Sequence, residues 1–397
     1  MRIHSDSFAF TFLLGLMASL PTFGIDTILP SLSATGDDLG ATSAEMGLAM
    51  SVYFVSLGAT ALAYGPISDH LGRKPVVRFG CVLVVCASVG CMLAISLPQL
   101  LIFRMIGGAG ASATAIAAFA IVRDIFDGEA AAAKMANLVL AIYIVPMIAP
   151  TIGAILLAFG NWRAIYLVPI AGALVLLVAM SGLSESARID PNVRLSPAAI
   201  VRNYLRILRH PICMGNILCN AAAAGAMFAY FTGSSLFFIN ALGLKPYEYG
   251  VIFAASSLAV MAGTRVSRKL SRWGLSPAQV IATGLVISTI LAASLLVMAI
   301  AGGNSAVVVV LVMVGVALSF GLISPHATNE ALRQIPEIVG SISAARAFVQ
   351  MAAAASSSAM VAALFDGHSA FSMALVMFAF CLLAIAAYVG IVRARKD

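Results

Sequence analysis

The chain has 397 residues, of which 61% are hydrophobic and 10% charged, with a mean hydropathy of +1.03; a soluble globular chain carries about 25% charged residues, so this composition excludes one. A crossing helix needs roughly 20 apolar residues, or about 33 with a short loop, so the length accommodates about twelve spans and little else. The apolar residues come in unbroken runs without the alternation of a barrel strand, which leaves an all-α polytopic bundle. The net charge of +7 is spread over short loops and forms no patch dense enough for nucleic acid. Six cysteines lie inside apolar runs with no CxxC spacing and read as small apolar residues rather than disulfides or metal ligands. The first 30 residues lack a small-residue cleavage site and flow into a full-length span, so a retained helix is expected from residue 8 onward.

In chain order, apolar runs are expected at about 8–32, 43–66, 76–96, 98–122, 133–158 and 163–183, then at about 212–240, 246–266, 277–300, 304–328, 337–363 and 369–392. That makes twelve. The one long hydrophilic stretch holds Arg188, Arg194, Arg202, Arg206 and Arg209. It divides the chain into an N-terminal six-helix bundle (1–184), a linker (185–211) and a C-terminal six-helix bundle (212–397).

Placing loops on alternate sides gives one side 19 cations: Arg2, Arg73, Lys74, Arg78, Arg123, Lys134, the five linker arginines, Arg265, Arg268, Lys269, Arg272, Arg333, Arg393, Arg395 and Lys396. The other side holds Arg163 and Lys245, and the remaining two cations, Arg104 and Arg346, fall within spans. This bias predicts that both termini are cytoplasmic, in a multi-pass protein of a bacterial inner membrane.

The loop between spans 2 and 3 reads Gly65-Pro66-Ile67-Ser68-Asp69-His70-Leu71-Gly72-Arg73-Lys74-Pro75 and matches the pattern G-x-x-x-D-x-x-G-R-[RK]. With it stand Asp26-Thr27-Ile28-Leu29-Pro30, Phe103-Arg104, Val122-Arg123-Asp124, Pro146 to Gly153, Trp162-Arg163, Tyr230 to Phe238, Gly243-Leu244 and Tyr249-Gly250. Together these resemble the major facilitator superfamily, in its bicyclomycin/chloramphenicol-resistance branch of drug:proton antiporters. The resemblance covers nearly the whole chain and implies two six-helix bundles that alternate access to a central site. The chain departs from the pattern in four places. Gly107 stands where span 4 usually has Gln, Ala149-Pro150 replaces a Gly-Pro, Arg346 replaces a neutral residue in span 11, and the second copy of the loop motif, near 263–274, lacks its acid.

Ionisable side chains within spans are functional candidates because burying a charge in lipid is costly. Asp26 and Arg104 each lie about six residues from the outer ends of spans 1 and 4, roughly 9 Å deep. Two readings fit: a proton-coupling pair that an arriving substrate switches, or a static ion pair between the spans. Arg346 is either a counter-charge for an anionic substrate or an arginine near the cytoplasmic mouth, with His326 and Glu330 as its nearest candidate partners. His326 is also readable as a packing residue or a proton carrier. Asp69 is expected to accept hydrogen bonds from a helix N-terminus or to pair with Arg123. The resemblance implies that Gly65, Asp69, Gly72, Arg73 and Lys74, joined by Arg123 and Asp124, form a cytoplasmic gate. Pro146, Pro150 and Gly153 are expected to bend span 5. Phe228 and Phe231, at i, i+3 spacing on span 7, are candidate cavity residues with Phe23 and Tyr53.

The reading that follows is a secondary transporter that exports small lipophilic or amphiphilic compounds against protons. The alternative is a proton-coupled exporter of an endogenous metabolite, anionic if Arg346 is its counter-charge. A membrane enzyme is disfavoured: there is no H-x-x-x-x-D, no D-x-x-D-D and no metal-spaced His pair among five histidines. No G-x-x-x-x-G-K-[ST] motif is present, so an ion gradient is the expected energy source, with protons favoured over Na⁺ because there is no carboxylate-rich cage. No cofactor or metal is expected. The expected partners are a small-molecule substrate, protons and the lipid bilayer, and the chain is expected to act as a monomer.

Overall fold

A computed structural model describes residues 7–187 and 197–392. Arg2, Arg188, Arg194, Arg393, Arg395 and Lys396 of the charge count therefore lie outside the described residues. Fourteen α-helices and no strand occur among the described residues. They are α1 (Phe8–Asp26), α2 (Leu32–Leu39), α3 (Ser43–Leu71), α4 (Arg73–Leu93), α5 (Leu97–Ile125), α6 (Gly128–Phe159), α7 (Leu167–Gly182), α8 (Pro197–Arg209), α9 (Pro211–Ser235), α10 (Pro246–Arg272), α11 (Pro277–Ile300), α12 (Ala306–Arg333), α13 (Val339–Ala363) and α14 (Phe371–Ala387). Twelve segments are long and apolar enough to cross a membrane, and they follow the twelve expected runs in order. The first, Phe8–Leu39, is α1 and α2 joined through a 3₁₀ turn at Leu29–Ser31. Pro30 explains the join, because it removes a backbone donor and disfavours helix at the residue before it.

By packing, the chain divides into two compact units: Met1–Ser31 with Val52–Pro197, and Leu32–Ser51 with Ala198–Asp397. In the first unit α1 packs against α5, α6 and α7, and α4 against α5 and α7. Gly153 of α6 lies so close to the Thr27 carbonyl that a Cβ there would overlap it, so a small residue is required where α6 crosses the end of α1. Helix α6 continues through Pro146 and Pro150 as a single helix.

In the second unit α9 is the central helix, in contact with α12, α13 and α14. Its buried run Ala221 to Ala224 presents small side chains that let neighbours approach closely. It is extended by a π-helical turn, Leu236–Ala241, which buries Phe237 and Phe238. The segment Leu32–Ser51 belongs here: the Ser51 hydroxyl donates to the Ala355 carbonyl at 2.8 Å, and the Ser33 hydroxyl bonds the Asn240 side chain. Five of the six cysteines are buried, and Cys86 is exposed on α4.

Candidate functional site

Helix α1 stops at Asp26, and a helix end leaves its last carbonyls without intrahelical donors. The Phe23 carbonyl is met by the Thr27 amide and hydroxyl. The Gly24 carbonyl accepts a 2.6 Å hydrogen bond from Arg104 Nη1, which places a cation at the negative end of the helix dipole. The same guanidinium stacks 4.4 Å from the centre of the Tyr53 ring, whose hydroxyl donates to the Pro21 carbonyl at 3.2 Å. These groups line a crevice with Gly24, Thr27, Phe103, Gly107 and Tyr166. Phe23 is half-buried and is not among its lining residues.

Asp26 is 1% exposed, and neither carboxylate oxygen has a hydrogen-bond partner among the described residues. The sequence placed Asp26 and Arg104 at one depth. The structure does place them in one region, but Arg104 engages the α1 carboxyl end rather than the Asp26 carboxylate. Helix termination explains the difference: it exposes a backbone carbonyl that a buried guanidinium can satisfy.

A second cluster lies at the α3–α4 turn. Gly72 adopts φ 99° and ψ 156°, a region open essentially to glycine alone, and so lets α4 start directly after α3. Arg73, 8% exposed, reaches back over this turn. It forms an ion pair with Asp69, a two-point contact with Asp124 at 2.8 and 3.3 Å, and a hydrogen bond to the Ser68 hydroxyl at 2.6 Å. The sequence offered Arg123 as a partner of Asp69. Arg73 takes that place because it lies four residues on and the Gly72 turn lets it reach back, whereas Arg123 is exposed.

Glu185, just beyond α7, completes the cluster by accepting the Arg73 and Lys74 amides at 2.8 and 3.0 Å. Lys74 Nζ donates to the Leu183 carbonyl at 2.8 Å, and the Ser186 hydroxyl donates to Asp124 at 3.2 Å. Nothing in the sequence singled out Glu185 or Ser186, because contacts over 112 and 62 residues leave no local signal. A Cβ added at Gly65 would meet nothing within 4 Å, so packing there does not require glycine.

In the second unit, Arg346 Nη1 donates to Gln350 Oε1 at 2.8 Å, and the Asn220 amide donates to the same oxygen at 3.3 Å. This joins α13 to α9 through a polar group that the sequence reading did not include beyond Arg346. His326 Nε2 lies 3.4 Å from the Ser271 hydroxyl, and Glu330 lies 3.9 Å from Arg333. Phe228 and Phe231 meet edge to face at 5.1 Å between ring centres. They belong to a larger aromatic group, since Phe231 also packs on Tyr230 and Phe253 at 4.8 Å each, and Phe253 on Tyr249 at 5.9 Å. Phe228 is its half-exposed member.

Residues 11–358 match the family described as Major Facilitator Superfamily. Over 401 residues the chain is 24% identical to a bicyclomycin resistance protein homolog of Haemophilus influenzae, covering 98% of this chain and 97% of that one. It is 30% identical to a chloramphenicol resistance protein of Pseudomonas aeruginosa over 268 residues, 65% of this chain and 61% of that one. Its fold is similar to that of a bacterial homolog of the human lysosomal transporter Spinster, with a TM-score of 0.76 at 16% identity, covering 99% and 98% of the two chains. Twelve apolar helices, the loop motif with its buried arginine and a family match over most of the length agree: this multi-pass membrane protein belongs to the Major Facilitator Superfamily, a family of transporters rather than enzymes.

Proposed function

We propose that the chain is a proton-coupled exporter of small lipophilic or amphiphilic compounds, working by alternating access in a bacterial inner membrane with both termini in the cytoplasm. The observation that carries the proton-coupling part is the Asp26 carboxylate, buried without a hydrogen-bond partner at the end of α1. An uncompensated buried anion is strongly disfavoured, so this acid suits a carrier that takes and releases a proton as access changes, with no cofactor in the cycle. The aromatic group around Phe231 and the crevice beside Tyr53 offer apolar surfaces with few polar anchors, as a binder of lipophilic compounds needs. The resistance proteins named above support drug-like compounds as substrates. The Arg346 guanidinium is already hydrogen-bonded to Gln350, so the anionic-metabolite reading has no observation of its own.

The test is accumulation of chloramphenicol in inside-out membrane vesicles energised by a proton gradient. The expected result is gradient-dependent uptake that a protonophore abolishes and that Asp26→Asn removes at normal expression. Uptake by the wild type that ignores the gradient would defeat the antiport reading.

A further inference from the structure

The linker between the two sets of six spans carries a helix that the transport reading does not use. Helix α8 ends at Arg209, and only His210 separates it from Pro211, the first residue of a membrane-crossing segment. Its position along the chain therefore fixes α8 at the level where that span leaves the apolar layer. At 3.6 residues per turn its side chains fall into three stripes. One stripe is inward: Ile207 is buried in a cluster with Cys213, Ile217 and Ile335, and Tyr204 packs against it. A second stripe, Val201, Leu205 and Leu208, is 55%, 45% and 60% exposed, although these are large apolar residues. The third, Arg202, Arg206 and Arg209, runs beside the second and is exposed.

No acidic residue occurs in α8, and among the described residues Glu337 is the one acid that its arginines meet, through Arg206 at 3.2 Å with both side chains more than half exposed. Helix α10 ends at the same side of this unit as α9 begins, because consecutive spans alternate. That end adds exposed Arg265, Arg268, Lys269 and Arg272. It also carries Trp273, 66% exposed with Lys269 Nζ 4.7 Å from its ring, an arrangement suited to a headgroup layer. A helix with an inward anchor, an outward leucine stripe and an adjacent cationic stripe is satisfied neither by water nor by hydrocarbon alone. We propose that α8 is an interfacial helix that binds the surface of an anionic phospholipid bilayer, with Val201, Leu205 and Leu208 at the acyl boundary and Arg202, Arg206 and Arg209 on the phosphate groups.

The experiment is amide hydrogen exchange on the full-length protein in nanodiscs of phosphatidylcholine, or of equal parts phosphatidylcholine and phosphatidylglycerol. Each cation at a charged membrane surface strengthens binding about fivefold. Residues 200–209 should therefore exchange at least about tenfold more slowly in the anionic discs. R202Q/R206Q/R209Q should lose that difference, while R202K/R206K/R209K, which keeps the charge, should retain it. A thermal melt of each variant reports folding separately, and the Lys variant keeps the comparison informative if the Gln variant unfolds. Equal exchange in both discs, or full protection in the Gln variant, overturns the proposal. So does protection by inorganic phosphate in phosphatidylcholine discs, which would make this a plain anion site, and protection that grows with protein concentration there, which would assign the face to a second copy of the chain.

Discussion

Arg104 does two things at once: it satisfies the Gly24 carbonyl and it stacks on Tyr53. Its loss would leave a helix end unsatisfied in a membrane core, where an orphaned polar group costs several kcal/mol. Arg104→Gln is therefore expected to lower the melting temperature of the purified protein clearly, whatever it does to transport. Asp26 behaves oppositely. Its carboxylate has no hydrogen bond to lose, so Asp26→Asn should leave the melting temperature unchanged or raised while gradient-driven accumulation disappears. A marked loss of thermal stability in Asp26→Asn would point instead to the static ion pair. Both residues stood out in the sequence because charges inside apolar runs are conspicuous. The partner of Arg104 did not, since a bond to a backbone carbonyl depends on where a helix stops. Gly107 adds a question of space, because it lines the crevice and a Cβ there would stand at ordinary contact distance from Tyr53. Gly107→Gln is expected to fold and to fill the crevice. Competition assays with compounds of graded size should then show the larger ones excluded first.

At the level of elements, the turn between α3 and α4 depends on a glycine, an arginine and a distant glutamate. Gly72→Ala forces a side chain into a glycine-only conformation, costing about 1–3 kcal/mol. Its methyl would also press on the Glu185 carboxylate. Arg73→Gln should cost more, about 3 kcal/mol, since it leaves the mostly buried Asp124 without its two-point partner. The exposed Asp69 adds little to that figure. Denaturation in detergent checks both, and the expected order of stability is wild type, Gly72→Ala, Arg73→Gln. Spacing made Asp69, Gly72 and Arg73 legible as a motif, whereas Glu185 became visible only when the fold brought the end of α7 to the start of α4. The helices extend beyond the apolar runs for a related reason. Apolar runs mark where lipid begins, but α3, α10 and α12 continue to Leu71, Arg272 and Arg333, because backbone hydrogen bonding does not stop when side chains become polar. Helix α8 was missed within the arginine-rich linker, although Ile200, Tyr204 and Ile207 are spaced for one helix face.

At the level of the whole molecule, the twelve spans were legible because hydropathy over about 20 residues is a strong signal. Sidedness rests on the charge bias, which predicts that residue 187 and the C-terminus face the cytoplasm while residues near 163 and 245 face outward. A water-soluble maleimide applied to intact cells should then label Lys245→Cys and leave Ala187→Cys untouched, and the reverse pattern would invert the topology. The six native thiols bear directly on that experiment. Cys81, Cys91, Cys213, Cys219 and Cys381 are closed off by packing, and Cys86 is exposed but lies in the middle of the apolar span Arg73–Leu93. A charged, water-soluble reagent reaches neither a packed side chain nor the middle of an apolar layer readily, so the unaltered chain should be silent toward it. Every introduced cysteine then becomes a reporter of its own position, without first stripping the protein of its sulfur.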